Sequence, residues 1–245
     1  MESHLYSEGI AFEVDNEYWL SQANVESWES VNERVDMGKI GTQEVYRKEI
    51  LEDKQKAIYS VALNFFKNFD LENAEIPKAR MEEKGESLYL VTEGVDGNID
   101  QLDREKAYSF VSAMTLLGDI EWDSGSNVGI KEDPVLLDIE YIGQYPVHEA
   151  QAFRENVLEP WFNRKGYEFN ESEFNEKMKE HAQNLPTPQE ITQILSEEIE
   201  TENDRQENFQ QDVIRNIEEA VEKARKGKLT IEYISRELSD VNSTS

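Results

Sequence analysis

The chain has 245 residues, of which 53 are Asp or Glu and 25 are Lys or Arg, for a formal net charge of −28 at pH 7. This excess of negative charge disfavours nucleic-acid binding but is compatible with basic proteins and metal ions as partners. The absence of cysteine excludes disulfides, thiolate catalysis and cysteine-ligated zinc. Because no apolar run approaches the roughly 18 residues of a membrane span and no secretory signal opens the chain, we expect a cytoplasmic protein without a membrane span.

The first part of the chain predicts short strands and one long helix. Alternating apolar residues predict a hairpin over 10–20 and a short strand over 34–40. From a potential cap at residue 42, apolar residues recur close to helical spacing up to residue 66, which predicts one long helix or two abutting ones. The ranges 78–82 and 87–92 flank a glycine-containing turn and give the clearest hairpin signal of the chain.

Helical periodicity dominates the second part of the chain. A helix with Asp100 or Asp103 as its N-cap and Gly118 as its C-cap is followed by a loop rich in carboxylates and by a compact apolar strand over 135–139. A capping-box pattern with proline at the first helical position begins at Thr187. The further helices are predicted at 149–163, 172–184, 188–200, 207–226 and 229–239.

Asp138 is the most informative residue of the sequence. It lies inside the apolar run 135–139, where an unpaired carboxylate would be costly to bury. A buried acid of this kind requires a cation or a hydrogen-bond donor, so we interpret Asp138 as a functional residue.

Four short segments around Asp138 follow one another in a recognisable order: Tyr89-Leu-Val-Thr-Glu-Gly-Val95, Leu116-Leu-Gly-Asp119, Asn127-Val-Gly-Ile130 and Leu136-Leu-Asp138-Ile139. This order resembles the kinase superfamily, in particular its atypical branch of HipA-like protein kinases and phosphoinositide lipid kinases. The resemblance covers about residues 35–142. It implies an α+β, two-lobed kinase-like fold, with a β-rich N-lobe at 1–95 and a helical C-lobe at 96–245 that carries a catalytic and metal-binding loop at 118–140.

The resemblance also implies a binding site for ATP with Mg²⁺ or Mn²⁺. Asp138 matches the metal-binding aspartate of the family and Asn127 matches the second metal ligand. The adenine would lie near the connection 92–95, where Glu93 and Val95 are the expected contacts. Phosphoryl transfer requires such metal ligands, a lysine on the phosphates and an acid near the acceptor hydroxyl.

The catalytic acid departs from the family pattern. The family spacing places an aspartate five residues before the asparagine, but Trp122 stands there. The candidates are Asp119, which follows the Leu-Gly step, then Asp123, and Glu121 if one residue is inserted. This departure leaves open a pseudokinase or a different transferase reaction.

Two lysines are candidates for binding the phosphates. Lys39 ends the short strand before the predicted long helix and is preferred, whereas Lys48 falls within that helix. The helix would supply an acidic partner for the lysine, with Glu49 chosen over Glu44 and Glu52. The glycines on either side of Lys39 only weakly suggest a phosphate-binding loop.

The favoured function is an ATP- and metal-dependent phosphotransferase that acts on a protein hydroxyl. The alternative is a degenerate pseudokinase or an acidic helical module that binds a basic protein. A lipid kinase ranks lower because the sequence shows no basic patch for an anionic head group. The glutamate-rich C-terminal part would also suit a bacterial effector that modifies a host protein; the oligomeric state is left open by the sequence.

Overall fold

The computed structural model describes residues 25, 27–32, 34–40, 42–95, 102–118, 127–143, 154–199 and 203–229. An antiparallel sheet occupies the first part of the described chain and helices dominate after residue 102, which confirms the α+β prediction. The predicted hairpin at 10–20 and nearly all of the predicted helix at 229–239 lie outside the described residues.

Five strands form the main sheet within the described residues, in the spatial order β1-β2-β3-β5-β4, and all neighbouring pairs are antiparallel. The predicted strand over 34–40 and the predicted hairpin over 78–92 are confirmed. In that hairpin Lys84 pairs with Ser87, and Gly85 in the turn has a φ of 67°, a conformation that glycine adopts without strain. The strands are β1 (Trp28–Ser30), β2 (Val35–Ile40), β3 (Gln43–Ile50), β4 (Ala79–Lys84) and β5 (Ser87–Glu93).

Strand β3 corrects the prediction of a helix from residue 42 to residue 66. Residues 43–50 are extended between β2 and β5, and the helix α1 begins only at Asp53. Val45 and Ile50 are buried, and the three residues that follow Val45, Tyr46 to Lys48, are half-buried amphipathic side chains. A search for apolar residues alone therefore does not detect the two-residue period of a strand in this segment. The Gly41-Thr42 pair between β2 and β3 is typical of a two-residue hairpin loop and was the overlooked signal.

The helices predicted at 172–184, 188–200 and 207–226 are confirmed with small changes at their ends, as are the helix after Asp103 and the described part of the one predicted at 149–163. Asp103 caps α2 by accepting a hydrogen bond from the Lys106 amide at 2.9 Å, and Thr187 forms the predicted capping box with Glu190. A π-helical turn, Arg154–Leu158, precedes α3. The helices in the described residues are α1 (Asp53–Asn68), α2 (Arg104–Leu116), α3 (Glu159–Arg164), α4 (Glu171–Asn184), α5 (Pro188–Glu198) and α6 (Asp204–Arg225).

The hydrophobic core joins the sheet to the helices. Helix α1 packs against α6 and α5, and α2 packs against α4. The predicted core aromatics Phe65, Trp161 and Phe162 are fully buried, whereas Phe66 is partly buried against the same cluster. Helix α1 lies in the chain between β3 and β4, and its buried residues share one hydrophobic cluster with Ile50, Ala79 and Leu90 of the sheet.

Residues 119–126 lie outside the described part of the chain. A two-stranded hairpin follows them. Its strands are β6 (Val128–Ile130) and β7 (Pro134–Leu136), and Val128 pairs with Leu136. The predicted strand at 135–139 is therefore shorter than expected, and Asp138 lies two residues beyond its end. Of the helices that the structure describes, none combines the length and the apolar character that crossing a bilayer requires.

Candidate functional site

A cleft of about 360 Å³ lies between the main sheet and the β6–β7 hairpin. Four of the residues predicted for the site, Glu93, Val95, Asn127 and Asp138, line this one cleft together with Lys48, the second lysine candidate. One wall comes from β2, β3 and β5, and the other comes from residues that flank β6 and β7. The remaining lining residues are Val35, Tyr46, Arg47, Leu90, Thr92 and Leu137.

The β6–β7 hairpin places the two predicted metal ligands beside each other. The Leu137 amide donates a hydrogen bond of 2.7 Å to the carbonyl oxygen of Asn127, which extends the pairing of the two strands by one step. Asp138 follows directly, and its side chain is 29% exposed at the cleft. Asn127 and Asp138 thus reach the same wall from the two ends of one hairpin.

Asp138 is half-buried rather than buried, and Lys48 provides the cation that the sequence predicted beside it. Its Nζ lies 3.2 Å from Oδ2 and 3.4 Å from Oδ1 of Asp138, and it donates a hydrogen bond of 2.9 Å to Oε2 of Glu140. The side chain of Lys48 is 20% exposed, so this ion pair is partly shielded from water. Lys48 on β3 therefore connects the sheet to the segment that carries Asp138.

Glu140 is held by helix α1 as well as by Lys48. Its Oε2 also accepts hydrogen bonds from Gln55 Nε2 and from the Tyr59 hydroxyl, each at 3.3 Å. Burial by itself raises the pKa of Glu140, but the hydrogen bond and the charge of Lys48 outweigh it and leave the pKa below its usual value. Burial and the charges of Glu140 and Asp138 raise the pKa of Tyr59 far above its usual value, so the phenol stays protonated and donates.

Sequence reasoning missed Glu140, Gln55 and Tyr59. Gln55 and Tyr59 are four residues apart and therefore lie on the same face of α1, which was a usable signal. Glu140 is two residues after Asp138, but nothing in the local sequence distinguishes it from other surface glutamates. Its role depends on the tertiary contact between the hairpin segment and α1.

Lys39 and Glu49 lie away from this ion pair. Lys39 is exposed on β2 opposite Glu44 and does not line the cleft. The prediction that Glu44 and Glu49 belong to a helix was wrong, because both are on β3. Neighbouring strand residues point to opposite faces, so Glu49 faces away from the side of Lys48 and lines a separate acidic groove near the start of α1.

The connection after β5 is tied to its surroundings by Glu93. This side chain is only 5% exposed, and its Oε1 accepts hydrogen bonds from the Lys78 amide at 2.7 Å and from Nζ of Lys131. The Glu93 and Gly94 amides donate to the carbonyl oxygens of Lys78 and Glu44. These two amides, and the Gly94 carbonyl oxygen that accepts a hydrogen bond of 3.3 Å from Gln43 Nε2, are therefore already used by the protein itself.

Gly129 allows the two walls to meet at Val95. A Cβ atom at Gly129 would lie 2.7 Å from Cγ1 of Val95, closer than carbon atoms approach without a shift. Because valine has little rotamer freedom, a larger residue at position 129 would displace the wall of the cleft. The close approach of Val95 thus explains why position 129, in the Asn-x-Gly step, is a glycine.

The catalytic-acid candidates Asp119, Glu121 and Asp123 lie outside the described residues. Within the described ranges, no three His, Cys, Asp or Glu side chains cluster as a ready-made metal cage. Mg²⁺ commonly uses one or two protein ligands together with water and substrate phosphates. The donor set of one carboxylate, Asp138, and one amide oxygen, Asn127, fits that mode of binding.

Comparisons with known proteins give structural matches at low identity. No protein-family model and no curated protein sequence matches the chain. The proinflammatory kinase CtkA of Helicobacter pylori aligns at 10% identity over 91% of this chain and 98% of its own, with a TM-score of 0.43. The bifunctional kinase-methyltransferase WbdD aligns at 16% identity over 82% of this chain and 47% of its own, with a TM-score of 0.36. The aligned part of this chain thus corresponds to about half the length of WbdD.

Proposed function

We propose that this chain is an ATP- and metal-dependent phosphotransferase with a two-lobed, kinase-like architecture, which transfers phosphate to a protein hydroxyl. The observation that carries this proposal is that Lys48, Asp138 and Asn127 line one cleft together with Thr92, Glu93 and Val95 of the connection 92–95. Phosphoryl transfer depends mainly on positioning and on neutralising charge, and this cleft contains groups suited to both. The sheet of the N-lobe (1–95) and the β6–β7 hairpin of the C-lobe (96–245) form its two walls.

Four residues of the cleft have proposed roles that follow from their chemistry. Lys48, rather than Lys39, would bind the phosphates, because its ammonium group lies beside Asp138 inside the cleft. Asp138 and Asn127 would hold Mg²⁺ or Mn²⁺, which when bound would neutralise phosphate charge and orient the nucleotide. The base would lie against Val95, which lines the same cleft.

The acceptor hydroxyl requires an acid near the transferred phosphate. Asp119 remains the first candidate, since it follows the Leu116-Leu-Gly step that resembles the family, and Asp123 and Glu121 are the alternatives. A protein acceptor, including a host protein or the chain itself, is consistent with an acidic surface that attracts basic segments.

The first experiment measures thermal stability with ATP and Mg²⁺ or Mn²⁺ on the wild type, on Asp138→Ala and on Glu132→Ala. Glu132 is an exposed acid in the turn of the same hairpin and serves as the matched control. At about 100 times Kd, nucleotide binding raises Tm by roughly 5 to 10 °C for a chain of this size. We expect this rise in the wild type and in Glu132→Ala but not in Asp138→Ala.

The same three proteins are then assayed for phosphate transfer from γ-labelled ATP to the chain itself and to a basic protein. Incorporation that survives Asp138→Ala would contradict the metal assignment. If none of the three proteins shows a nucleotide-dependent rise in Tm, the result favours the second hypothesis from the sequence, a module that binds a basic partner. That partner would be released by raised salt and would bind equally with and without ATP.

A further inference from the structure

Helix α1 supplies no carboxylate to the cleft. Residues 54–68 contain neither Asp nor Glu, and its acidic residues, Glu52 and Asp53, are confined to its N-terminal end. In protein kinases the phosphate-binding lysine is paired with a glutamate from the helix next to the sheet. Here the carboxylate within hydrogen-bond distance of Lys48 besides Asp138 is Glu140, which follows the metal-binding position by two residues.

Glu140 is fixed in place by contacts that come from α1. The Tyr59 hydroxyl and the Gln55 amide both donate to its Oε2, the atom that also receives the hydrogen bond from Lys48. Tyr59 is only 1% exposed and belongs to the main hydrophobic core, so the donor cannot shift without disturbing packing. Helix α1 therefore holds Glu140 in place, although Glu140 itself belongs to the segment after β7.

Lys48 has two carboxylate partners, Asp138 and Glu140, and only Asp138 is the proposed metal ligand. A metal ion and the Lys48 ammonium group compete for the carboxylate oxygens of Asp138, because two cations near the same oxygen atoms repel each other. Glu140 keeps a partner for Lys48 when Asp138 is released from it. Glu140 can take over from Asp138 as the partner of Lys48 only if both carboxylates lie near the same ammonium group, as they do here.

We infer that Glu140 is a positioning residue that holds Lys48 on the phosphate side of the cleft and thereby leaves Asp138 available to the metal ion. This inference rests on the proposed function and deepens it. It places the lysine's partner and the metal ligand on one short segment, so that both are set by a single loop conformation. The position of α1 then matters through Tyr59 and Gln55, and not through an acid of its own.

The test compares Glu140→Gln and Glu140→Asp with the wild type and with the control Glu132→Gln. Without Glu140, Asp138 is the carboxylate partner that remains to Lys48 among the described residues, and Lys48 competes with the metal ion for it. We expect the Mg²⁺ concentration for half-maximal nucleotide stabilisation to rise about 10-fold in Glu140→Gln and kcat/KM to fall about 10- to 100-fold, in line with the loss of a hydrogen bond between charged groups. Glu140→Asp should recover part of both effects, and Glu132→Gln should match the wild type.

A double-mutant cycle with Lys48→Met separates positioning from a general structural role. If Glu140 acts through Lys48, Glu140→Gln has little further effect on Mg²⁺ dependence in the Lys48→Met background, whereas a structural defect would persist. Tyr59→Phe, which keeps the packing and removes only the hydroxyl, provides a second variant if Glu140→Gln does not fold. It should shift the Mg²⁺ dependence in the same direction by a few-fold.

The outcomes distinguish this inference from the proposed function. A wild type that shows no nucleotide-dependent stabilisation overturns both. A wild type that binds ATP and Mg²⁺, with Glu140→Gln and Tyr59→Phe keeping the wild-type Mg²⁺ dependence, overturns the role of Glu140 and leaves the proposed function standing. An effect of Glu140→Gln that is unchanged in the Lys48→Met background also overturns it.

Discussion

At the scale of single residues, Lys48 and Lys39 differ in where the sheet places their side chains. Lys48 lies inside the cleft and contacts two carboxylates, whereas Lys39 is exposed on β2 and faces neither of them. The two residues have the same chemistry, so a difference between their variants reports on position alone.

We therefore predict that Lys48→Ala lowers the affinity for ATP by about 10-fold or more, as expected for the loss of a charge-assisted contact to phosphate. Lys39→Ala should leave the affinity within about twofold, in line with the weak effect of exposed charges. Isothermal titration calorimetry with ATP and Mg²⁺ on both variants measures this difference. A large loss in Lys39→Ala with none in Lys48→Ala would restore the first choice from the sequence.

At the scale of secondary-structure elements, His181 connects α4 to α2. The side chain is 2% exposed, and its Nε2 lies 2.9 Å from the carbonyl oxygen of Ser109, to which it donates. Burial lowers the pKa of His181 below its usual value of about 6.5, more than the Ser109 carbonyl and the charge of Glu72 raise it. The folded state therefore favours the neutral imidazole.

This pKa direction predicts how stability depends on pH. Because the folded-state pKa is depressed, the contribution of His181 is fully present above about pH 6.5 and is lost as the pH falls from there through the folded pKa. His181→Gln keeps a donor but does not titrate, so its Tm should fall less than that of the wild type between pH 7.5 and 5.5. Equal declines in the two proteins would show that His181 does not contribute to the pH dependence.

Elements with strong local signals were predictable from the sequence. The Thr187 capping box, the Asp103 cap and the Gly85 hairpin all depend on neighbours within a few residues, and the structure has each of them. Strand β3 was not predictable in this way, because its half-buried side chains gain their apolar contacts only from packing between two other strands. Asp138 and Asn127 could be found from short motifs, whereas Glu140 could not, because its contacts come from α1 and β3 and not from its own segment.

At the scale of the whole molecule, the net charge of −28 affects stability directly. Like charges repel most strongly in the compact state, and this repulsion is screened by salt. The ion pairs of exposed residues, such as Lys67 with Glu198, contribute little that salt could remove. Screening should therefore stabilise the fold more than it weakens the surface ion pairs.

We predict that Tm rises by a few °C between about 20 mM and 500 mM NaCl, measured without nucleotide or divalent metal. Chloride is used because sulfate and phosphate also strengthen apolar burial. A fall in Tm over this range would mean that partly buried pairs, including Lys48 with Asp138, outweigh the general repulsion.

The contact between Lys48 and Asp138 also sets a condition on any molecule that enters the cleft. Lys48 is the counter-ion of Asp138, and Lys48 is also paired with Glu140. A bare anion that takes Lys48 leaves Asp138 without this counter-ion, which carries a desolvation penalty. A bare cation that takes Asp138 leaves Lys48 paired with Glu140. A ligand that brings a cation together with its anion gives Asp138 a new counter-ion as the anion takes Lys48, so the cleft favours an anion that arrives with its cation over a bare anion.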